Sequence, residues 1–100
     1  MEVRDIFALR KAGHIEEAYD LIRARYKVYH GHYTTLCMFW CASDMLQLHI
    51  SKGEIDEAEK ILRAMENMLP GMKDEDVIGN QMVKLRNMLK EAQKESGTNE

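Results

Sequence analysis

The residue types most capable of chemistry crowd into "HGHYTTLCMFWC", residues 30–41, which holds two of the four histidines, both cysteines and the only tryptophan. His30, His32, Cys37 and Cys41 read H-x-H-x4-C-x3-C, a ligand set whose number and softness suit zinc. Their spacing points elsewhere. Structural zinc sites pair ligands across a C-x2-C knuckle, whereas these cysteines stand one helical turn apart in an apolar run, where a thiol serves as a small hydrophobe. Side chains so placed point in parallel and poorly suit a disulfide, so reduced thiols and no metal are expected. Ser43, Asp44, His49 and Ser51 supply the residue types of a nucleophilic triad, yet Ser43 and Asp44 are adjacent and diverge by about 100° on a helix. The sequence contains no phosphate loop, no H-E-x-x-H and no glycine-rich cofactor turn. Glu16/Glu17 suits the solvated start of a helix, close to the positive end of its dipole. The expectation is a chain that is no enzyme and carries no cofactor.

The elements that would position these residues are helices. Ala, Leu, Met, Glu, Lys and Arg dominate, and one proline and six glycines punctuate 100 residues. The punctuation predicts five helices. The first covers residues 2–12 and stops at Gly13. The second runs from Ile15 to Tyr29, with Ile15, Ala18, Tyr19, Ile22, Tyr26 and Tyr29 on one face. Thr34 is placed to cap the third, which reaches Ser51 and is apolar all round from Leu36 to Ala42. Ile55 to Leu69 is the fourth, with Ile55, Ala58, Leu62, Met65 and Leu69 inward and Pro70-Gly71 as its stop. Asp74 is placed to cap the fifth, whose stripe is Val77, Ile78, Met82, Leu85, Leu89 and Ala92. Residues 96–100 read as a disordered tail.

The chain repeats itself. "KAGHIEEAYDLIRARYKVYHG" (11–31) laid over "SKGEIDEAEKILRAMENMLPG" (51–71) aligns Gly13 with Gly53, Ile15 with Ile55, Glu17 with Glu57, Ala18 with Ala58, Arg23 with Arg63, Ala24 with Ala64 and Gly31 with Gly71. Glycine supplies the turn, isoleucine opens the next helix, and the small alanine lets that helix approach its neighbour.

Gly-x-Ile-[Asp/Glu]-Glu-Ala, with Ile22 or Leu62 four places on and Pro70 closing the second copy, resembles the junction between the two helices of a tetratricopeptide (TPR) repeat. The period here is 40, against 34 in that family. The resemblance implies an all-α, antiparallel helix-hairpin array (TPR-like, an α-solenoid) over residues 1–95, with units at about 2–30 and 34–70 and a capping helix at about 75–94. It also implies that first helices line a groove for a peptide or helix of another protein. Carried onto this sequence, the groove positions bring forward Phe7, Arg10, Lys11, Trp40, Ser43 and Gln47 as the partner-binding residues. Helical geometry separately puts Trp40, Ser43, Gln47 and Ser51 on one face and Met38, Ala42, Met45 and His49 on another, the second being the candidate core. So small an array should bind at about micromolar strength.

Two other readings stand beside this one. "KGEIDEAEKILRAMENM" is similar to the pentatricopeptide repeat, which implies single-stranded RNA as ligand. Against that, residues 54–76 carry eight acids against Lys60, Arg63 and Lys73, and the net charge of the chain is −3, where RNA binding wants a basic stripe. The second is a self-associating module, a homodimer or a part of a larger assembly, through an exposed Ile6-Phe7-Leu9 edge. Composition, 45% hydrophobic and 31% charged, suits a globular chain. "MEVRDIF" offers no secretory signal and no apolar run reaches the 18 or so residues a membrane span needs, so the expected location is cytoplasmic.

Overall fold

The computed structural model describes residues 1–72 and 75–97, and the side chains among these except at 75, 76, 96 and 97. Among the described residues the chain is all-α, with α1 (Val3–Lys11), α2 (Ile15–Val28), α3 (His32–Ser51), α4 (Ile55–Met68) and α5 (Glu75–Gly97) in order and a short 3-10 turn at Leu69–Gly71. α1 packs on α2 and α4 packs on α5, the neighbours in an array of helix hairpins. No described helix is long and apolar enough to cross a membrane.

The aligned glycines do the same work twice. Gly13 has φ +91° and Gly53 φ +75°, the left-handed region that only glycine enters without strain. Around each, the helix end closes through two local bonds: Gly13 N–H to Arg10 O (3.0 Å) and His14 N–H to Leu9 O (3.0 Å), then Gly53 N–H to Ile50 O (3.0 Å) and Glu54 N–H to His49 O (2.8 Å). That is the Schellman pattern, which satisfies the last carbonyls of a helix. The second copy adds a side-chain bond across the turn, His49 Nδ1 to Glu54 Oε1 at 2.7 Å. Both following helices are 14 residues long, and burial over residues 11–20 matches that over 51–60 position by position, with Ala18 and Ala58 sealed. What recurs is this junction. A tetratricopeptide repeat as such is not shown, the helix before the junction being 9 residues in α1 and 20 in α3.

The chain forms two compact units, residues 1–45 and 46–100. The division falls inside α3, not at the turn near residues 30–34. Buried side chains of the first unit include Ile6, Ala18, Ile22, Cys37, Phe39 and Cys41; those of the second include Leu46, Ile61, Leu62, Met65, Met82 and Leu85. Met38, Ala42 and Met45 are buried, while His49 is half-buried and held by Glu54.

Several expected details are corrected. α3 begins at His32, so Thr34 lies inside the first turn and is buried. Thr35 does the tying there, its hydroxyl donating to His30 O at 3.2 Å. α2 stops at Val28, and Tyr29 turns into extended backbone (φ −148°, ψ 123°), which takes it off the inward stripe. Val77 is 53% exposed and leaves the α5 stripe to Ile78, Met82, Leu85 and Leu89. Of Ile6-Phe7-Leu9, Ile6 is 2% exposed and turned into the core, while Phe7 and Leu9 are half-buried. α5 continues to Gly97, past the expected start of the tail. The cap at Asp74 and the tail at 98–100 lie outside the described residues.

Candidate functional site

The chemistry-bearing residues of the first unit gather in two places. One is the end of α1, where the last-turn Arg10 meets Asp44 of α3. Its Nε lies 2.5 Å from Asp44 Oδ2 and its Nη2 3.3 Å from Oδ1, a two-pronged ion pair whose side chains are only 27% and 21% exposed. The same guanidinium sits over the Trp40 ring, 5.5 Å from its centroid, and Phe39 meets that ring edge-on at 5.3 Å. Arg10 and Trp40, both expected to face a partner, are therefore brought together and engaged with each other.

The two cysteines of α3 are both buried, with sulfurs 3.9 Å apart. The hydrogen bond from Cys41 lowers the pKa of the Cys37 thiol, burial opposing it and Arg10 assisting. That bond and burial raise the pKa of Cys41. The histidines of the opening motif go elsewhere: His30 stacks on Tyr26 (4.2 Å between centroids) and His32 meets Tyr33 edge-on (5.4 Å). Among the described residues no three His, Cys, Asp or Glu side chains converge where a metal ion could be held.

The second place is a groove of ≈ 640 Å³ where the start of α1, the end of α2 and the start of α3 come together. Half-buried Val3, Phe7 and Leu36 give it an apolar lining. Tyr29 and Tyr33, at 63% and 71% exposure, stand along it. Its shape depends on Gly31: a Cβ there would lie 2.3 Å from the Tyr29 ring, so glycine is what lets the ring fold over the backbone of the turn. Arg4 and Arg25 line it too, Arg4 paired with Glu2 at 3.2 Å and Arg25 donating to Met1 O at 2.7 Å. In the second unit, a ≈ 670 Å³ groove at the start of α4 is lined by Glu54, Asp56, Glu57 and Glu59. Acids are ordinary there, favoured by the helix dipole.

Of the six expected contact residues, the structure places one, Phe7, in the groove of the first unit. Lys11 is exposed in the last turn of α1. Ser43 is fully buried, which corrects its assignment to a contact face. Gln47 belongs to the second unit and is half-buried. Arg4, which the sequence suggests as a cation near Arg10 and Lys11 for a partner's carboxylate, lines the groove as well, while Tyr29, Tyr33, Arg25 and Leu36 were not anticipated. A signal for them exists in the sequence: residues 21–43 contain no Asp or Glu, while Arg23, Arg25, Lys27, Tyr26, Tyr29 and Tyr33 all lie within them.

Comparisons with protein-family models, with curated proteins and with solved structures find no match for this chain.

Proposed function

We propose that this chain is a non-catalytic protein-interaction module, a TPR-like array of helix hairpins whose first unit holds a segment of another protein. The observation that carries the reading is the pair of exposed tyrosines along an apolar groove. Large exposed aromatic groups beside a concave apolar surface are what binding sites present, because each can be desolvated at little loss of conformational freedom. Phe7, which the family resemblance brought forward, remains part of the site. Arg10 and Trp40 support it from within, since their mutual engagement holds the end of α1 against α3. The alternatives, a single-stranded RNA reader or a self-associating module, have weaker support: the net charge is −3, and Ile6 of the edge suggested for self-association is buried.

A peptide library displayed on phage and selected against the full chain tests the reading, with Tyr29→Ala and Tyr33→Ala as counter-targets. Peptides that bind at about micromolar strength and weaken on both variants support it. No enrichment, or enrichment indifferent to both tyrosines, rejects it.

A further inference from the structure

We propose that the groove of the first unit selects an acidic segment of its partner protein, with one large apolar side chain seated between Tyr29 and Tyr33 and carboxylates on either side of it. The proposal rests on the protein-binding reading above and names the chemistry of what is bound.

The argument is one of charge placement. The overall charge of −3 hides an uneven distribution, because the 23 consecutive residues from Leu21 to Ser43 carry Arg23, Arg25 and Lys27 and no acid at all. The groove draws its charged lining from Arg25 and Arg4 against a single carboxylate, Glu2, already paired with Arg4. The other acids of the first unit, Asp5, Glu16, Glu17, Asp20 and Asp44, do not line the groove, and Asp44 is paired with Arg10. An anionic ligand thus meets cations and little repulsion, whereas a basic one meets two guanidinium groups with one compensating charge. Arg25 is positioned for this, since its contact with the Met1 carbonyl is to a neutral acceptor and leaves its charge uncompensated.

The same inventory decides between two anionic polymers. A nucleic acid draws its affinity from phosphates neutralised, and two or three cations here would give only a shallow salt dependence and weak binding, with a slope of roughly −0.7 per contact on a single strand. Val3, Phe7 and Leu36 offer nothing to a phosphate and much to a buried Trp, Phe or Leu. A peptide uses both parts of the groove.

The test uses the full chain and three fluorescein-labelled twelve-residue peptides with a central Trp flanked by Glu, by Gln or by Lys, read by anisotropy, together with the acid content of the phage-selected peptides. The Glu peptide is expected to bind about tenfold tighter than the Gln peptide, a charge-assisted contact being worth that much, and the Lys peptide most weakly. Arg25→Glu should invert the order, and Tyr33→Ala should weaken all three. Phage selection that yields tyrosine-dependent peptides without acid enrichment, or equal affinity for the three probes, overturns the acidic specificity and leaves the protein-binding reading standing. Binding of a twelve-nucleotide oligo(U) in preference to every peptide overturns both. Absence of binding to any probe, with an empty selection, also rejects both.

Discussion

The Arg10–Asp44 pair offers the sharpest test of how the first unit is held. Fully exposed ion pairs contribute about 0.2–1 kcal/mol, while removing one partner of a fully buried pair costs about 3–5 kcal/mol. With side chains 27% and 21% exposed and two hydrogen bonds between them, this pair lies between those limits. Asp44→Ala should therefore destabilise the chain by about 1–3 kcal/mol, part of it the burden of a half-buried guanidinium without a counter-charge. Arg10→Met, which keeps the stem against Trp40, should cost less. A double-mutant cycle should return a coupling of about 1–2 kcal/mol. In a chain of this length each kcal/mol moves the melting temperature by about 4–8 °C, so the loss is visible in thermal unfolding followed by circular dichroism, and most of it should persist in 0.5 M NaCl because the pair is shielded from solvent. A coupling below about 0.3 kcal/mol refutes the reasoning. So does Arg10→Met with unchanged melting but lost peptide binding, which would make Arg10 a contact residue after all.

Three further outcomes are expected. Gly13→Ala and Gly53→Ala each force a side chain into left-handed backbone and should each lose about 1–2 kcal/mol in urea unfolding, to similar extents because the junctions share one geometry. Gly31→Ala should displace the Tyr29 ring rather than strain the backbone, lowering peptide affinity severalfold in a titration while melting stays nearly unchanged. Iodoacetamide followed by mass spectrometry should label Cys37 and Cys41 far more slowly in the native chain than in urea, since both sulfurs are buried. Rapid native labelling would mean the first unit opens readily.

The fold was legible because its determinants are local. Gly13 and Gly53 announce themselves by spacing, and the stripes Ala18–Ile22 and Ala58–Leu62–Met65 follow from a 3.6-residue period that burial then obeys. The site was legible only at Phe7 and, as a nearby cation, at Arg4. Tyr29 continues the stripe of α2 by periodicity alone, and only the end of the helix at Val28 swings it outward. Ser43 shares a face with Trp40 on a helical wheel, yet α3 is enclosed on more than one side, so one face does not mean one environment. Arg10 reads as a groove cation open to a partner until Asp44, 34 residues away, closes on it. Net charge misled in the same manner, since summing over the chain erased the acid-free run.

The division of the chain within α3 bears on the order in which the protein is made. Ribosomes extend a chain at roughly 5–20 residues per second and domains fold as their parts emerge. The contacts that define the first unit lie within the segment up to Met45, so they can begin to form while the rest is still being synthesised. The remaining turns of α3, with Leu46, Leu48 and Ile50, belong to a unit whose α4 and α5 have yet to appear. For that interval the first unit carries an apolar stub, and a chaperone or a second nascent chain would meet the protein there. Stalling translation of a C-terminally extended chain once Ser51 has cleared the ribosomal exit tunnel should expose that species to crosslinking, and stalling it once Leu89, the last residue in the buried set of α5, has cleared the tunnel should remove it.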